Sequence, residues 1–320
     1  MRRVQLPPLS LMTLARRQEG LVSAGQCDRA GVGAARRGRL VRDGVLEHPT
    51  RGVLDVEPGR DRRYDADHRR RRAAWLGMLA LGPGAIAVGA CALALHGVEG
   101  LPLDIRPEIA LPGGSAGRHR ADVRVRTFGR FESFRYGDRT IAALVPALVQ
   151  ALPELPRAHA VAVLDSVLQR GLLTDATFEV VRERVRGRRG AAGLAASWHL
   201  VDRRAESPLE TFARLECVDA GVPPDDLQVE IRSSRGHLLG RGDLGWRLPH
   251  GRWLIAEIDG REFHERPDAL LRDRSRQNAL VSSGRVDILR FTATDLSTRA
   301  IVPSTVRTAL NRYTERSNLT

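Results

Sequence analysis

The chain has 320 residues, 42% of them hydrophobic and only 4% aromatic, with a formal net charge of +13. This length exceeds what one small core needs and predicts two or three domains, while the apolar content excludes wholesale disorder. The charge points to an acidic partner, nucleic acid or an anionic membrane surface.

There is no lysine, so every fixed side-chain cation is arginine, and guanidinium forks bind phosphate bidentately. Cys27, Cys91 and Cys217 are scattered without metal-ligand spacing, which suits a reducing cytoplasm and predicts a cytoplasmic protein. The opening stretch MRRVQLPPLSLMTLARRQEG has no long apolar region and no small-residue cleavage site, so it does not read as a signal peptide.

Residues 1–60 read as three helices and a wing. LSLMTLARRQ has a helical apolar pattern that stops at Gly20, and SAGQ from Ser23 to Gln26 has the form of a capping box. A short helix then runs to Ala30 and ends at Gly31. VGAARRGRLVRDG offers a third helix carrying Arg36, Arg37, Arg39 and Arg42, and VLEHPTRGVLDV reads as two strands around a proline-containing turn. This is a winged helix-turn-helix plan with those four arginines as the nucleic-acid-binding set and DNA as the partner. A generic helical domain with a solvated basic face is the other reading.

Residues 61–204 form a middle α+β connecting domain. The run Arg69 to Arg72 is either a phosphate contact or a solvated helix start. Ala73 to Val98 carries no fixed charge, which is long enough for a membrane span. Gly82-Pro83-Gly84 interrupts it, however, so two core helices are expected and no membrane partner. DIRPEIAL and DVRVRTF read as strands, followed by a helical stretch from Ile141 to about Leu200.

From 205 to 300 the order is α-β-β-β-α-β, with a tail or helix over 301–320. SPLETFARLECVDAG is a helix with Ser207 at its N-cap, Pro208 at N1 and Gly221 at its end. LQVEIRS, HLLGRGDLGWRL and RWLIAEID are strands, RPDALLRDRSRQNALVSSG is a helix and RVDILRF is the last strand. Pro249-His250-Gly251 suits a three-residue hairpin loop with glycine left-handed. Pairing Leu248 with Arg252 then sets Asp243 opposite Glu257, with Asp259 on the same face by alternation. Opposed Cβ atoms lie ~4.5–5.5 Å apart, and two charges about 5 Å apart repel by ~3 kcal/mol at an effective dielectric of 20. A divalent, oxygen-seeking cation, Mg2+ or Mn2+, would reverse that sign, with Asp243 and Glu257 as metal ligands. Glu210 is either a further ligand or water-orienting group, or the partner of Arg214. His264 is either a general base or a surface histidine.

Glu210, Asp243 and the run Glu257-x-Asp259-Gly260-x-x-x-His264 resemble the PD-(D/E)XK nuclease superfamily. Within it they are most similar to domain-of-unknown-function family 559, which is like the very-short-patch-repair (Vsr-like) endonucleases. Asp273-x-x-Arg276-x-x-x-Leu280, Gly284 and ILRFTATDL extend the likeness from about Glu206 to Leu296. LARRQEGLVSAGQ and RGVLDV resemble the winged-helix domain of AbiEi-type antitoxins, and AIAVGACALALHGVEGLP is similar to the segment that follows it. The first resemblance implies a restriction-endonuclease-like core and Mg2+-dependent phosphodiester hydrolysis, with Glu210, Asp243, Glu257, Asp259 and His264 catalytic. The superfamily's lysine position holds Asp259, which leaves the transition-state cation unassigned, with Arg276 and Gln277 as possible substitutes. The expected function is therefore a DNA-binding endonuclease. The alternative is a DNA-binding antitoxin or regulator with an inactive nuclease-like domain. An RNA-directed nuclease is a third option, although the scarcity of aromatics favours duplex over single-strand binding.

Overall fold

The computed structural model describes residues 6–59, 65–114, 122–233, 235–259, 282–298 and 300–317. The chain is an α+β protein of two compact units: Met1–Leu155 with Asp175–Ala195, and Pro156–Thr174 with Ala196–Thr320.

The first unit begins with helix α1 (Leu9–Arg16), strand β1 (Leu21–Ser23), helices α2 (Ala24–Arg29) and α3 (Ala34–Arg42), and strands β2 (Glu47–Thr50) and β3 (Val53–Asp55). The capping box expected at Ser23 forms in both directions, Gln26 N–H to Ser23 Oγ and Ser23 N–H to Gln26 Oε1. The strands make an antiparallel sheet in the order β1-β3-β2. Leu11, Ala15, Val22, Cys27, Val32, Leu40, Leu46 and Leu54 fill the core beneath it. The turn between β2 and β3 holds Arg51 and Gly52, not the proline expected there. Pro49 lies within β2, an edge strand whose register shifts between Glu47 and Thr50, and an edge tolerates the missing N–H.

Helix α4 (Ala66–Leu81) follows, with the Asp65 carboxylate capping the His68 N–H at 2.8 Å. The Gly82-Pro83-Gly84 break falls where expected: α4 stops at Leu81, Gly82 takes φ +95°, and helix α5 (Gly89–Leu95) starts beyond strand β4 (Ile86–Ala87). Both helices bury into the core of this unit, and no helix among the described residues is long and apolar enough to cross a membrane.

The arginine run at the start of α4 is held in ion pairs with acidic side chains of the same unit. Arg69 pairs with Asp104 at 2.5 Å, Arg71 with Glu19 at 2.6 Å and Arg72 with Asp55 at 2.6 Å. Arg70 pairs with Asp67 at 2.9 Å and donates to the carbonyls of Leu101 and Pro102. Through Glu19 and Asp55, Arg71 and Arg72 tie α4 to the β1–β3 region.

Strands β5 (Glu108–Ala110), β6 (Arg124–Arg126), β7 (Ser133–Tyr136) and β8 (Arg139–Ala142) complete a five-stranded sheet, β6-β5-β4-β8-β7. Ile141 and Ala142 thus close a strand instead of opening the helical stretch. Helices α6 (Leu144–Ala151), α7 (Arg157–Gln169), α8 (Asp175–Val185) and α9 (Ala191–Ala195) occupy that stretch, and α7 belongs to the second unit.

In the second unit, helix α10 (Pro208–Asp219) leads into strands β9 (Asp226–Arg232), β10 (Leu238–Leu248), β11 (Arg252–Asp259) and β12 (Val286–Thr292). The sheet order is β12-β11-β10-β9, with β11 and β12 parallel and the other pairs antiparallel. The helix expected over RPDALLRDRSRQNALVSSG lies almost wholly outside the described residues. One sheet face, with Leu227, Leu244, Trp246, Leu254, Ala256, Ile258 and Phe291, packs against Ala213 and Cys217 of α10. Val302 and Val306 of the last helix complete that core, so the expected C-terminal tail is helix α12 (Ile301–Ser317) built into it after α11 (Ala293–Ser297). Val229, Ile231, Ile255 and Val286 cluster on the opposite face.

Candidate active site

The site is built where α10 meets β9 and β10. Ser207 caps α10, its Oγ accepting the Glu210 N–H at 3.2 Å, and Pro208 fills the first turn. That cap fixes Glu210 in the first turn, where it is only 6% exposed. Its Oε2 accepts the Glu206 N–H at 2.9 Å and Gln228 Nε2 at 2.8 Å.

The hairpin forms in the expected register from Leu248↔Arg252 to Leu244↔Ala256, and the ladder between the two strands ends there, one residue short of Asp243. His250 joins Gly251 in the left-handed region, at φ +60° and +68°. At Asp243 the strand departs from simple alternation. Leu244 packs on the helix-covered face, yet a Cβ on Gly242 would run into the Ile255 side chain of the opposite face. The neighbouring strand breaks at the same rung: Leu227 faces the helices, Val229 faces away, and Gln228 between them takes φ +53°. Since Gly242 pairs with Val229 and Leu244 with Leu227, Gln228 and Asp243 stand opposite one another at this double irregularity. The Asp243 Oδ2 accepts the Ile258 N–H of β11 at 2.8 Å, a side chain replacing a ladder acceptor where the backbone pairing ends.

Burial pushes the Glu210 carboxyl above its ordinary range, and the negative charge of Asp243 pushes it further. Burial likewise raises Asp243, with repulsion from Glu206 and Asp259 added; the Ile258 N–H and the Arg241 charge oppose the rise. Among the described residues neither carboxyl sits in an ion pair. Arg241 is held by Glu206 at 2.6 Å, and Arg214 does not turn to Glu210 but pairs with Asp165 at 2.8 Å.

Glu257, unlike Glu210 and Asp243, has an ionic partner. It faces Arg290 across the parallel β11–β12 ladder, and Arg290 Nε reaches its Oε2 at 3.1 Å. Asp259 ends β11, exposed, opposite Thr292. No group of three or more His, Cys, Asp or Glu side chains among the described residues is arranged to hold a metal. The structure thus brings Asp243 under the influence of Glu210, Glu206 and Asp259, and leaves Glu257 with a guanidinium. His264, Arg276 and Gln277 lie outside the described residues. The donor set suits a hard cation in kind. Glu210 Oε1 and Asp243 Oδ1 are carboxylate oxygens beside the ones already engaged, and Mg2+ is commonly held by one or two carboxylates with water and phosphate oxygens completing its shell.

Glu206 and Gln228 were not among the expected site residues. Glu206 lies one turn before Glu210, a spacing that sequence alone could have flagged; Gln228 reaches Glu210 only through its left-handed backbone.

The four arginines expected to bind nucleic acid divide into two kinds. Arg37, with a side chain 14% exposed, donates to the carbonyls of Ala24 and Val32 and pairs with Asp28. It braces α2 against α3. Arg36 donates to the Leu6 carbonyl at 3.1 Å. Arg39 and Arg42 have no hydrogen-bond or ionic partner among the described residues.

No family model matches the chain. Over 150 residues, 47% of its length, it is 33% identical to uncharacterized proteins from two strains of Mycobacterium tuberculosis. That stretch is 54% of each relative, so the chain spans about half the length of the curated relatives it matches.

Proposed function

We infer that the chain is a DNA-binding, divalent-metal-dependent endonuclease that hydrolyses phosphodiester bonds. The observation that carries this reading is the Glu210–Asp243 pair. Glu210 is buried and Asp243 half-buried, neither has an ionic partner among the described residues, and the chain has 51 arginines that could have neutralised them. Burying carboxylates so is costly, and such groups cluster where a function needs them. The succession of α10, three antiparallel strands and a parallel fourth is compatible with the restriction-endonuclease-like core that the PD-(D/E)XK resemblance implies. The α1–α3 helices with their three-stranded sheet are compatible with a winged helix-turn-helix, in which Arg39 and Arg42 are the uncommitted cations of the third helix.

Asp243 and Glu257, with Glu210 as a further carboxylate, would hold Mg2+ or Mn2+. When bound, the ion supplies polarisation of the scissile phosphate and an activated water. The chain's own groups do the rest. The Ile258 N–H fixes the orientation of the Asp243 carboxylate, and Gln228 and the Glu206 N–H fix that of Glu210. Arg290, held at Glu257, is a cation on the strand beside Asp259, the position where the superfamily carries lysine.

The test is relaxation of supercoiled plasmid with Mg2+ or Mn2+ by wild type and by Asp243→Asn, which keeps an acceptor for the Ile258 N–H. Cutting by wild type alone is expected, and equal cutting by both removes this site from the mechanism. A DNA-binding antitoxin or regulator with an inactive nuclease-like domain is the second reading. It is favoured by the engagement of Glu257 with Arg290 and by the lack of a three-ligand group among the described residues. It predicts DNA binding that is lost in Arg39→Ala/Arg42→Ala and no hydrolysis with either metal.

A further inference from the structure

The first unit contains a cavity of about 670 Å³ that plays no part in the reading above. Its volume lies within the range of small-molecule sites, roughly 300–1,000 Å³. One wall is aromatic and apolar: Phe128 and Phe131 meet edge to face at 6.2 Å between ring centroids, and Pro146 and Val149 continue the surface. The opposite character comes from Arg130, Arg184 and Arg188. Arg184 lies in the last turn of α8 and Arg188 in the turn just beyond it, so the end of one helix delivers both guanidiniums to the cavity. None of the three has a carboxylate partner among the described residues. Arg188 lies over the Phe128 ring at 5.9 Å, whereas Arg126, also over that ring, is consumed by Glu108 and Glu154.

A third feature points to a ligand. Gln150 lines the cavity but is only 5% exposed. Its Oε1 is spent on the Gly89 N–H at 3.0 Å. That bond fixes which end of the amide is free, leaving Nε2 without a hydrogen-bond partner among the described residues. This donor is open to the cavity, where solvent accepts from it until a ligand acceptor takes its place.

We propose that this cavity binds a nucleoside phosphate, taken either as a free nucleotide or as an unpaired nucleotide within a strand. The base lies against the Phe128–Phe131 wall, an acceptor on its edge takes the Gln150 Nε2 proton, and the phosphate meets Arg184 and Arg188. Each part of the ligand answers one feature of the site. Arginine forks match phosphate oxygens, aromatic walls take the face of any base, and the fixed amide donor reads one acceptor. An acidic peptide would use the arginines and leave the aromatic wall and the amide unemployed.

The experiment uses the full chain in about 0.1 M salt, where exposed charges more than a Debye length apart are screened. Fluorescence anisotropy follows a labelled short oligothymidylate and an abasic strand of equal length and charge, with thymidine monophosphate, adenosine monophosphate and polyglutamate as competitors. The base-bearing strand is expected to bind roughly tenfold or more tightly than the abasic one, the scale of a single stacked base. Arg184→Glu/Arg188→Glu, on exposed positions, is expected to weaken binding by about tenfold or more. Gln150→Glu keeps the acceptor for Gly89, removes the donor, and also weakens binding. Competition by the monophosphates assigns the site to free nucleotides; binding of the strand without such competition assigns it to strands. The assay contains no divalent metal and reads no cleavage, so failure of the nuclease reading in the plasmid test leaves this result standing. Equal affinity for abasic and base-bearing strands, undiminished binding by Arg184→Glu/Arg188→Glu, or displacement by polyglutamate as readily as by nucleotide would overturn the proposal.

Discussion

Asp165 Oδ2 and Arg214 Nη2 meet at 2.8 Å with side chains only 2% and 7% exposed, joining α7 to α10 in the interior of the second unit. Thr211 Oγ1 donates to the same oxygen at 2.8 Å, and the Asp202 N–H donates to Oδ1 at 2.8 Å. Arg214 spends its other terminal nitrogen on the Leu200 carbonyl at 2.6 Å, while its Nε finds no partner among the described residues. Asp165→Asn would confront Thr211 and Arg214 with an amide donor and strand a buried guanidinium. A loss of about 3–5 kcal/mol is expected, measured by urea unfolding, with Asp165→Asn/Arg214→Met recovering much of it. Burial pushes the Asp165 carboxyl up from its ordinary 3.8 to about 6. The stability that its titration contributes is therefore full below pH 3.8 and is lost as the pH rises through about 6.

Glu210 and Asp243 carry the same sign. Both carboxyls are raised by burial, so each contributes most when protonated, and the contribution falls as the pH climbs through their raised values. Glu210→Gln removes one charge and retains an acceptor for the Glu206 N–H and for Gln228. It should be more stable than wild type at neutral pH by on the order of 1 kcal/mol, as expected where a site is kept at a cost in stability. The advantage should vanish in acid. Thermal unfolding at the two pH values checks this. If Mg2+ or Mn2+ binds here, millimolar metal should raise wild type at neutral pH and leave Glu210→Gln behind.

Local signals made part of this site readable in the sequence. Ser207 and Pro208 announced the start of α10, and Pro249-His250-Gly251 set the hairpin register that leads to Asp243. The rest depended on residues distant in the chain. Arg290 reaches Glu257 from a parallel strand 33 positions away. The partners of Arg69, Arg71 and Arg72, namely Asp104, Glu19 and Asp55, come from three separate segments, so the run read as either a phosphate contact or a solvated face. The double break at Gln228 and Asp243 was unreadable because glutamine carries no preference for the φ of +53° it adopts.

Arg37 and the pair Arg39 and Arg42 should separate stability from binding. Arg37→Ala removes two hydrogen bonds to backbone carbonyls and an ion pair between α2 and α3. It should lower the stability of the chain by roughly 1–3 kcal/mol. Arg39→Ala/Arg42→Ala leaves stability within about 0.5 kcal/mol, as surface substitutions do. If the third helix meets DNA, the double variant should also reduce the slope of log affinity against log salt by about 1 for each phosphate that goes unneutralised. Duplex binding across a salt series, beside a melting curve for each variant, separates the two effects. Equal losses of binding and of stability in both variants would return Arg39 and Arg42 to a structural role.

Gly242 is the point at which packing and the candidate site constrain each other. A methyl there would strike Cγ2 of Ile255, with Cδ1 at 3.2 Å and Cβ at 3.3 Å behind it. Ile255 is 2% exposed and packed with Val229 and Val286, so a β-branched side chain has no room to turn away. Gly242→Ala should therefore cost about 1–3 kcal/mol. The cause is testable by a double-mutant cycle: Ile255→Ala leaves a cavity that the new methyl partly fills, so the combined variant should be less destabilised than the sum by roughly 0.5–3 kcal/mol. Relief of this strain falls on the residue next in the chain, Asp243, whose Oδ2 must stay within reach of the Ile258 N–H. If the chain cuts DNA, plasmid cleavage by folded Gly242→Ala should fall well below wild type at a temperature where both remain native. Unchanged cleavage by a destabilised Gly242→Ala would show that the alignment of Asp243 does not depend on the close approach of β10 to β11.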